Sequence, residues 1–288
     1  MCFIIISLKI SGVSKNHSRH NIRIFSLPDS ASITLRIYTY RKGPTMISNL
    51  IRWSVSIGIN RIIYWAFMGL AFVAALIYNL VFCKRVGVSR PKALALTLTG
   101  FVISYFWMCL VTWIETGFET WGGINLVRIF IWVPLLIWPF TKLFKVDWKS
   151  WCDFAGPSTL CLIQGIAHYG CLFAGCCHGY RAVHGIWNPQ LDYNTFPIQI
   201  IEAVVALAIA IFLFIRLKKR NYKTDGSAYA LMMILFGSTR FVLEFFRDNN
   251  KLFLGLSDLA LHALFMTIVG CAVLFSIFAK EERHRKTA

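Results

Sequence analysis

Seven stretches of this chain, near 62–82, 93–114, 126–141, 154–177, 197–215, 228–246 and 258–279, are long and apolar enough to cross a bilayer. Such a crossing takes about 20 helical residues. The expected fold class is therefore an all-α polytopic membrane protein with seven transmembrane helices. With 57% apolar residues, only 15% charged and a mean hydropathy of +0.60, the chain is too apolar for a soluble domain. Its 10 tryptophans suit a protein with two lipid–water interfaces to anchor. The third stretch is short and is expected to extend through Arg128 or to tilt. The fourth is interrupted by glycines, Gln164 and His168, and so should face other helices rather than lipid.

Basic residues in the connections set the orientation. Lys84, Arg85, Arg90 and Lys92 follow the first stretch, Lys142, Lys145 and Lys149 the third, and Arg216, Lys218, Lys219, Arg220 and Lys223 the fifth. The tail adds Lys280, Arg283, Arg285 and Lys286, whereas the opposite connections carry Arg181, Arg247 and Lys251. The positive-inside rule then places the carboxy terminus in the cytoplasm and the start of the first helix outside. It also explains the net charge of +17 without nucleic acid, for which no motif is present.

Residues 1–45 contradict this pattern, with Lys9, Lys15, Arg19, Arg23, Arg36, Arg41 and Lys42 against Asp29. They read as a disordered or mis-assigned amino-terminal extension that precedes a start at Met46, followed by one membrane domain over 46–288. An eighth membrane-associated element is the competing reading.

Ionisable side chains within spans are costly, and they usually face the protein interior and serve function. Arg240 and Glu244 stand four apart on the sixth stretch, with Arg247 beyond them; Gln199 and Glu202 share a face at the start of the fifth. His168 lies near the outer end of the fourth. All fall at one membrane depth, so the sequence predicts a cavity open to the outer leaflet, lined by Arg240, Glu202, Glu244, Gln199 and His168. A guanidinium fork flanked by carboxylates suits a phosphate-bearing lipid headgroup. Against this stand an Arg–Glu pair that only pins helices and a Glu202 that only caps an interface.

Cysteine usage points to no disulfide framework, because the 9 cysteines are odd in number and lie mostly in apolar segments. Cys171, Cys176, Cys177 and His178 have the chemistry of metal ligands. Adjacent cysteines fit one tetrahedral site poorly, however, and no second Cys-x-x-Cys exists, so neither metal nor cofactor is expected. Gly170, Gly175 and Gly179 would let helices approach closely. His184 and His262 read as ordinary polar residues.

Three blocks together resemble a known family: Gly170-Cys171 with Gly175-Cys176-Cys177-His178-Gly179, Pro197-Ile198-Gln199 with Glu202, and Gly237 with Arg240 through Arg247. They are similar to prolipoprotein diacylglyceryl transferase and its cysteine-containing relatives. The resemblance implies a seven-helix enzyme of the bacterial plasma membrane, amino terminus outside and carboxy terminus inside. It further implies transfer of a diacylglyceryl group from phosphatidylglycerol to the lipobox cysteine of preprolipoproteins, releasing glycerol 1-phosphate. The site expected from it has Arg240, Glu244, Glu202 and His168 as catalytic residues, and Gln199, Arg247, Gly170 and Cys171 as substrate-binding residues. The chain departs from the family where Ala167-His168 replaces Gly-Arg, Cys171 replaces Asn, Phe236 replaces Tyr, and Trp121-Gly122-Gly123 replaces His-Gly-Gly. A second class stays open: a non-catalytic relative that binds a lipid headgroup or a thiol partner through Cys171, Cys176 and Cys177.

Overall fold

The computed structural model describes residues 45–115, 117–119, 126–248 and 255–287. The expectations for the amino-terminal extension, apart from Thr45, and for Trp121-Gly122-Gly123 lie outside the described residues. In chain order the elements are α1 (Met46–Ser56), α2 (Asn60–Phe82), α3 (Arg90–Glu115), α4 (Leu126–Leu143), α5 (Trp148–Ala174), β1 (Arg181–Asn188), β2 (Tyr193–Thr195), α6 (Ile198–Lys219), α7 (Ser227–Glu244) and α8 (Asp258–Thr287). A helix occupies each of the seven apolar stretches. Four segments are long and apolar enough to cross a membrane: Asn60–Val86, Arg90–Glu115, Ile198–Lys219 and Asp258–Arg283. The protein is thus a helical, multi-pass membrane protein.

Two elements were not anticipated. The first is the antiparallel hairpin of β1 and β2, which pairs Trp187 with Asn194 and Asn188 with Tyr193. It adds one small sheet to an otherwise helical protein. It lies in the connection between α5 and α6, and the Asn188 side chain closes the turn by accepting from the amides of Gln190 (2.8 Å) and Leu191 (3.2 Å). The second is α1, which lies against β1: Ser48 Oγ accepts from the Trp187 amide at 3.1 Å, and the Arg52 guanidinium stands 5.1 Å from the Trp187 ring centre.

α5 is the centre of the fold. It is buried along most of its length and packs against α2, α4, α6 and α7. Its glycines make this possible: a methyl at Gly165 would sit 2.6 Å from Leu207 Cγ of α6, and one at Gly170 would sit 3.0 Å from the Tyr64 carbonyl oxygen of α2. α7 and α8 pair in the same way, because Gly237 faces the Ala263 carbonyl and Gly270 faces the Ala230 carbonyl.

Proline and glycine leave backbone groups that other helices must satisfy. Pro134 inside α4 has no N–H to give the Phe130 carbonyl, and the Tyr229 hydroxyl of α7 donates to that oxygen instead. α7 begins after Gly226, which has no side chain to cap it. Asp153 of α5 supplies the cap from another helix, accepting from the amides of Tyr229 at 2.8 Å and Asp225 at 3.2 Å. Asp225 accepts from the Arg220 guanidinium at 2.7 Å and from the Ser227 amide at 3.0 Å. Partial burial opposes its charge, but the Ser227 and Arg220 contacts prevail and hold the Asp225 carboxyl down at about 2.

Candidate active site

At the other end of the same bundle, four segments distant in sequence converge. The end of α5 carries His168, the start of α6 carries Gln199 and Glu202, the end of α7 carries Arg240 and Glu244, and Arg247 follows α7. Glu202 is the hub. It accepts from the Arg240 guanidinium, from Arg247 through both Nη2 and Nε, and lies 3.1 Å from His168 Nε2. Glu244 Oε2 stands 2.9 Å from Arg240 Nη2 and 3.7 Å from Arg247 Nε. Arg240 therefore does more than pair within its own helix, because it joins α7 to α6.

All of these side chains are withdrawn from the surface: Arg240 is 5% exposed and Glu202 4%. Among the described residues they close on one another, where the sequence led to the expectation of an open cavity. The reason is electrostatic, since a charge left unpaired in a low-dielectric interior costs several kcal/mol. Two guanidinium groups face two carboxylates, so the cluster is neutral as it stands. One donor is left over: the buried Arg240 Nε–H has no acceptor among the described residues. The cavity of about 160 Å³ lies elsewhere, between α2, α3, α4 and α5, and is lined by Met68, Leu96, Met108, Ile137 and Ile163 among others. None of the cluster residues lines it.

Local structure positions each group. Arg247 is held by a backbone bridge to Gly179, and the Tyr180 amide donates to the Phe246 carbonyl at 3.1 Å. A side chain at Gly179 would strike the carbonyl oxygens of Phe196 (2.7 Å) and Phe246 (2.9 Å), so only glycine admits both chains. The rings of Tyr180, Phe196 and Phe246 stack over this junction, with centres 5.3 and 5.5 Å apart. Gln199 points away from the ion pairs and donates to the Cys176 carbonyl at 3.0 Å, holding the turn that follows α5. Gly170 lies at the contact with α2. Cys171 lies beside His168 and Cys177, and one ligand atom from each of the three lies within 4.8 Å of the others. His178 is outside this group, with its Nδ1 near the Gly179 carbonyl.

Two contributors escaped the sequence reading. Gln164 Nε2 lies 3.0 Å from His168 Nδ1; its place four residues before His168 on one helix was a usable signal. Ser257 donates to Glu244 Oε1 at 2.9 Å while it accepts from the Ala260 amide at the start of α8. Its capping role was legible, but its reach to Glu244 was not.

The family model described as prolipoprotein diacylglyceryl transferase matches residues 21–276. Among curated proteins, the chain is 29% identical over 125 residues to phosphatidylglycerol–prolipoprotein diacylglyceryl transferase 2 of Clostridium perfringens, covering 41% of this chain and 48% of that protein. It is 27% identical over 170 residues to the phosphatidylglycerol–prolipoprotein diacylglyceryl transferase of Dehalococcoides mccartyi, covering 56% of this chain and 63% of the relative. For the protein of that name from Clostridium tetani the identity is 25% over 144 residues, covering 47% of this chain and 53% of the relative. The chain thus spans about half to under two thirds of the length of these relatives. The family match extends over most of the sequence and includes every residue of the ion-pair cluster, so this chain belongs to the prolipoprotein diacylglyceryl transferase family.

Proposed function

We propose that this protein transfers a diacylglyceryl group from phosphatidylglycerol to the lipobox cysteine of preprolipoproteins, in the plasma membrane of a bacterium. In this reading all seven apolar helices, α2 to α8, span the membrane, the carboxy terminus is cytoplasmic, and the ion-pair cluster lies in the outer leaflet.

The observation that carries the reading is the buried Arg240, with its Nε–H unspent and its other nitrogens shared between Glu202 and Glu244. A phosphodiester oxygen accepts from Nε and competes with Glu202 for the guanidinium groups of Arg240 and Arg247. Adding an anion to a neutral, dry cluster raises the proton affinity of the displaced carboxylate. Glu202 then takes the proton of the incoming thiol. The sulfur attacks the glyceryl carbon that bears the phosphate oxygen, and that C–O bond breaks. Glycerol phosphate leaves with the proton returned from Glu202, and the two guanidinium groups steady its developing charge. The apolar cavity between α2 and α5 offers room for part of an acyl chain.

The competing reading, a relative that binds a lipid headgroup or a thiol partner without transfer, has one observation in its favour: the cluster is charge-balanced without any ligand. Expression in cells depleted of their own transferase separates the two. Restored diacylglyceryl modification of lipoproteins is the outcome expected of the transferase, and stable membrane accumulation without modification points to the binder. The orientation is checked by reporters placed after Ala288, expected to be active only in the cytoplasm, and in the hairpin turn at Gln190, expected to be active only outside.

A further inference from the structure

The end of α5 carries a second constellation that the ion pairs do not use. His168 and Cys171 stand three apart on one helical face. The helix stops at Ala174, and Gly175 adopts the left-handed conformation at φ 78°. Cys177 is also left-handed, at φ 57°, which is uncommon for a residue with a side chain. These two reversals turn the chain back so that Cys177 Sγ returns to the last turn of α5. A ring nitrogen of His168 and the sulfurs of Cys171 and Cys177 then all lie within 4.8 Å of one another. In a tetrahedral zinc site two thiolate sulfurs stand about 3.8 Å apart, and a sulfur and an imidazole nitrogen about 3.6 Å, so closure needs shifts of about 1 Å or less.

We propose that His168, Cys171 and Cys177 form a three-ligand site for a zinc-class divalent cation, with its fourth position open to the incoming substrate thiol. The sequence argument against a metal was that adjacent cysteines crowd one tetrahedron. The structure answers that objection, because Cys177 is the neighbour whose sulfur reaches both Cys171 and His168, while the Cys176 thiol touches the Cys171 and Cys177 sulfurs from beside the group, and His168 takes the place expected of His178. Three protein ligands with one open position are the pattern of zinc sites that act on a bound molecule, whereas structural sites are closed by four. Glu202, 3.1 Å from His168 Nε2, is the carboxylate that orients such a histidine, and the Gln164 amide at Nδ1 is the group the metal would displace. Charge also balances: two thiolates match one divalent cation, while Arg240 and Arg247 are already matched by Glu202 and Glu244.

Resting on the transfer reading, the site supplies what a thiol acceptor needs. A metal-bound thiol loses its proton far more readily than a free one. The proton passes to Glu202, the sulfur attacks the glyceryl carbon, and the thioether product, a weaker ligand than a thiolate, leaves the metal.

The test uses the full-length protein, purified reduced in detergent and titrated with Co²⁺ alone. One equivalent should bind with the intense visible bands of tetrahedral cobalt and a thiolate-to-cobalt charge-transfer band, and Zn²⁺ should displace it. Cys171→Ser and Cys177→Ser should each weaken binding at least tenfold and shrink the charge-transfer band, while Cys271→Ser, on the exposed face of α8, should leave both unchanged. Monodispersity of each variant on size exclusion guards against misfolding. Absence of binding by the reduced wild type would overturn the proposal. So would a band indifferent to Cys171→Ser and Cys177→Ser, or a Cys171–Cys177 disulfide as the sole chemistry of the cluster. Transfer is measured in parallel: cobalt binding without lipoprotein modification retains the site and rejects the transferase reading. Full transfer after chelation rejects the metal's part in the reaction.

Discussion

The two ends of this helical bundle each bury carboxylates, and they use them differently. At one end Asp153 accepts from the backbone amides of Tyr229 and Asp225 and so caps α7, which begins at a glycine that cannot cap itself. At the other end Glu202 accepts only from side chains, namely Arg240, Arg247 and His168. A carboxylate committed to backbone amides is part of the scaffold, since moving it would unsatisfy a helix end. A carboxylate held only by side chains can be exchanged for another anion without unravelling a helix. The Arg240 Nε–H, which has no acceptor among the described residues, lies at this same end.

Arg240 should break this comparison most sharply. Arg240→Ala is expected to lower lipoprotein modification by at least about 10²-fold, and Arg240→Lys to impair it strongly, because an ammonium keeps the charge but loses the fork. Orphaned Glu202 and Glu244 could also unfold the protein, so Arg240→Ala/Glu244→Gln is the companion variant. Recovered protein level without recovered modification fits a ligand site. Recovered level with normal modification would make this end a scaffold like the other.

Next in size is Glu202→Gln, which leaves two guanidinium groups facing one carboxylate. Breaking a buried pair costs about 3–5 kcal/mol, and a fall of the unfolding midpoint in detergent should report it. Phosphatidylglycerol present during the scan should recover more stability in this variant than in the wild type, because its phosphate replaces the missing anion. Equal recovery in both would count against exchange of carboxylate for phosphate.

Asp153→Ala should reverse the balance of effects. Loss of the cap is expected to cost about 1–2 kcal/mol of stability, read as a lower unfolding midpoint, while the folded fraction retains its modification activity per molecule. A large loss of activity per folded molecule would erase the distinction between the two ends.

The smallest effect concerns Asp225. Its carboxyl lies lower in the folded protein, at about 2, than the ordinary 3.8. The contribution is therefore fully present above pH 3.8 and is lost as the pH falls towards 2. Asp225→Asn should flatten this acid limb of the stability curve and lower stability at neutral pH by a small amount, since solvent screens the part-buried Arg220–Asp225 pair.

Much of this architecture was legible because a bilayer permits few solutions. Apolar run length alone located α2 to α8, and the glycines and polar residues of the fourth stretch marked α5 as the helix surrounded by others. Arg240, Glu244, Glu202 and His168 stood out because charge and polarity are rare in such segments. The hairpin was missed because its strands show no regular alternation and lie in a connection, where hydropathy says little. Local spacing also concealed Asp153, whose capping role depends on a helix that begins 74 positions later with the wrong residue for a cap.

By itself, then, the sequence determined the number and place of the apolar helices and the identity of the residues that cannot rest in lipid. Both follow from solvation, which acts on each segment separately. Tertiary structure decided which charges meet: Arg240 with Glu202 across 38 positions, Arg247 beside Gly179, and Cys177 rather than Cys176 beside His168. Those pairings depend on interhelical distances of a few ångströms, set where glycines admit close contact and where the backbone turns left-handed, and hydropathy is blind to both.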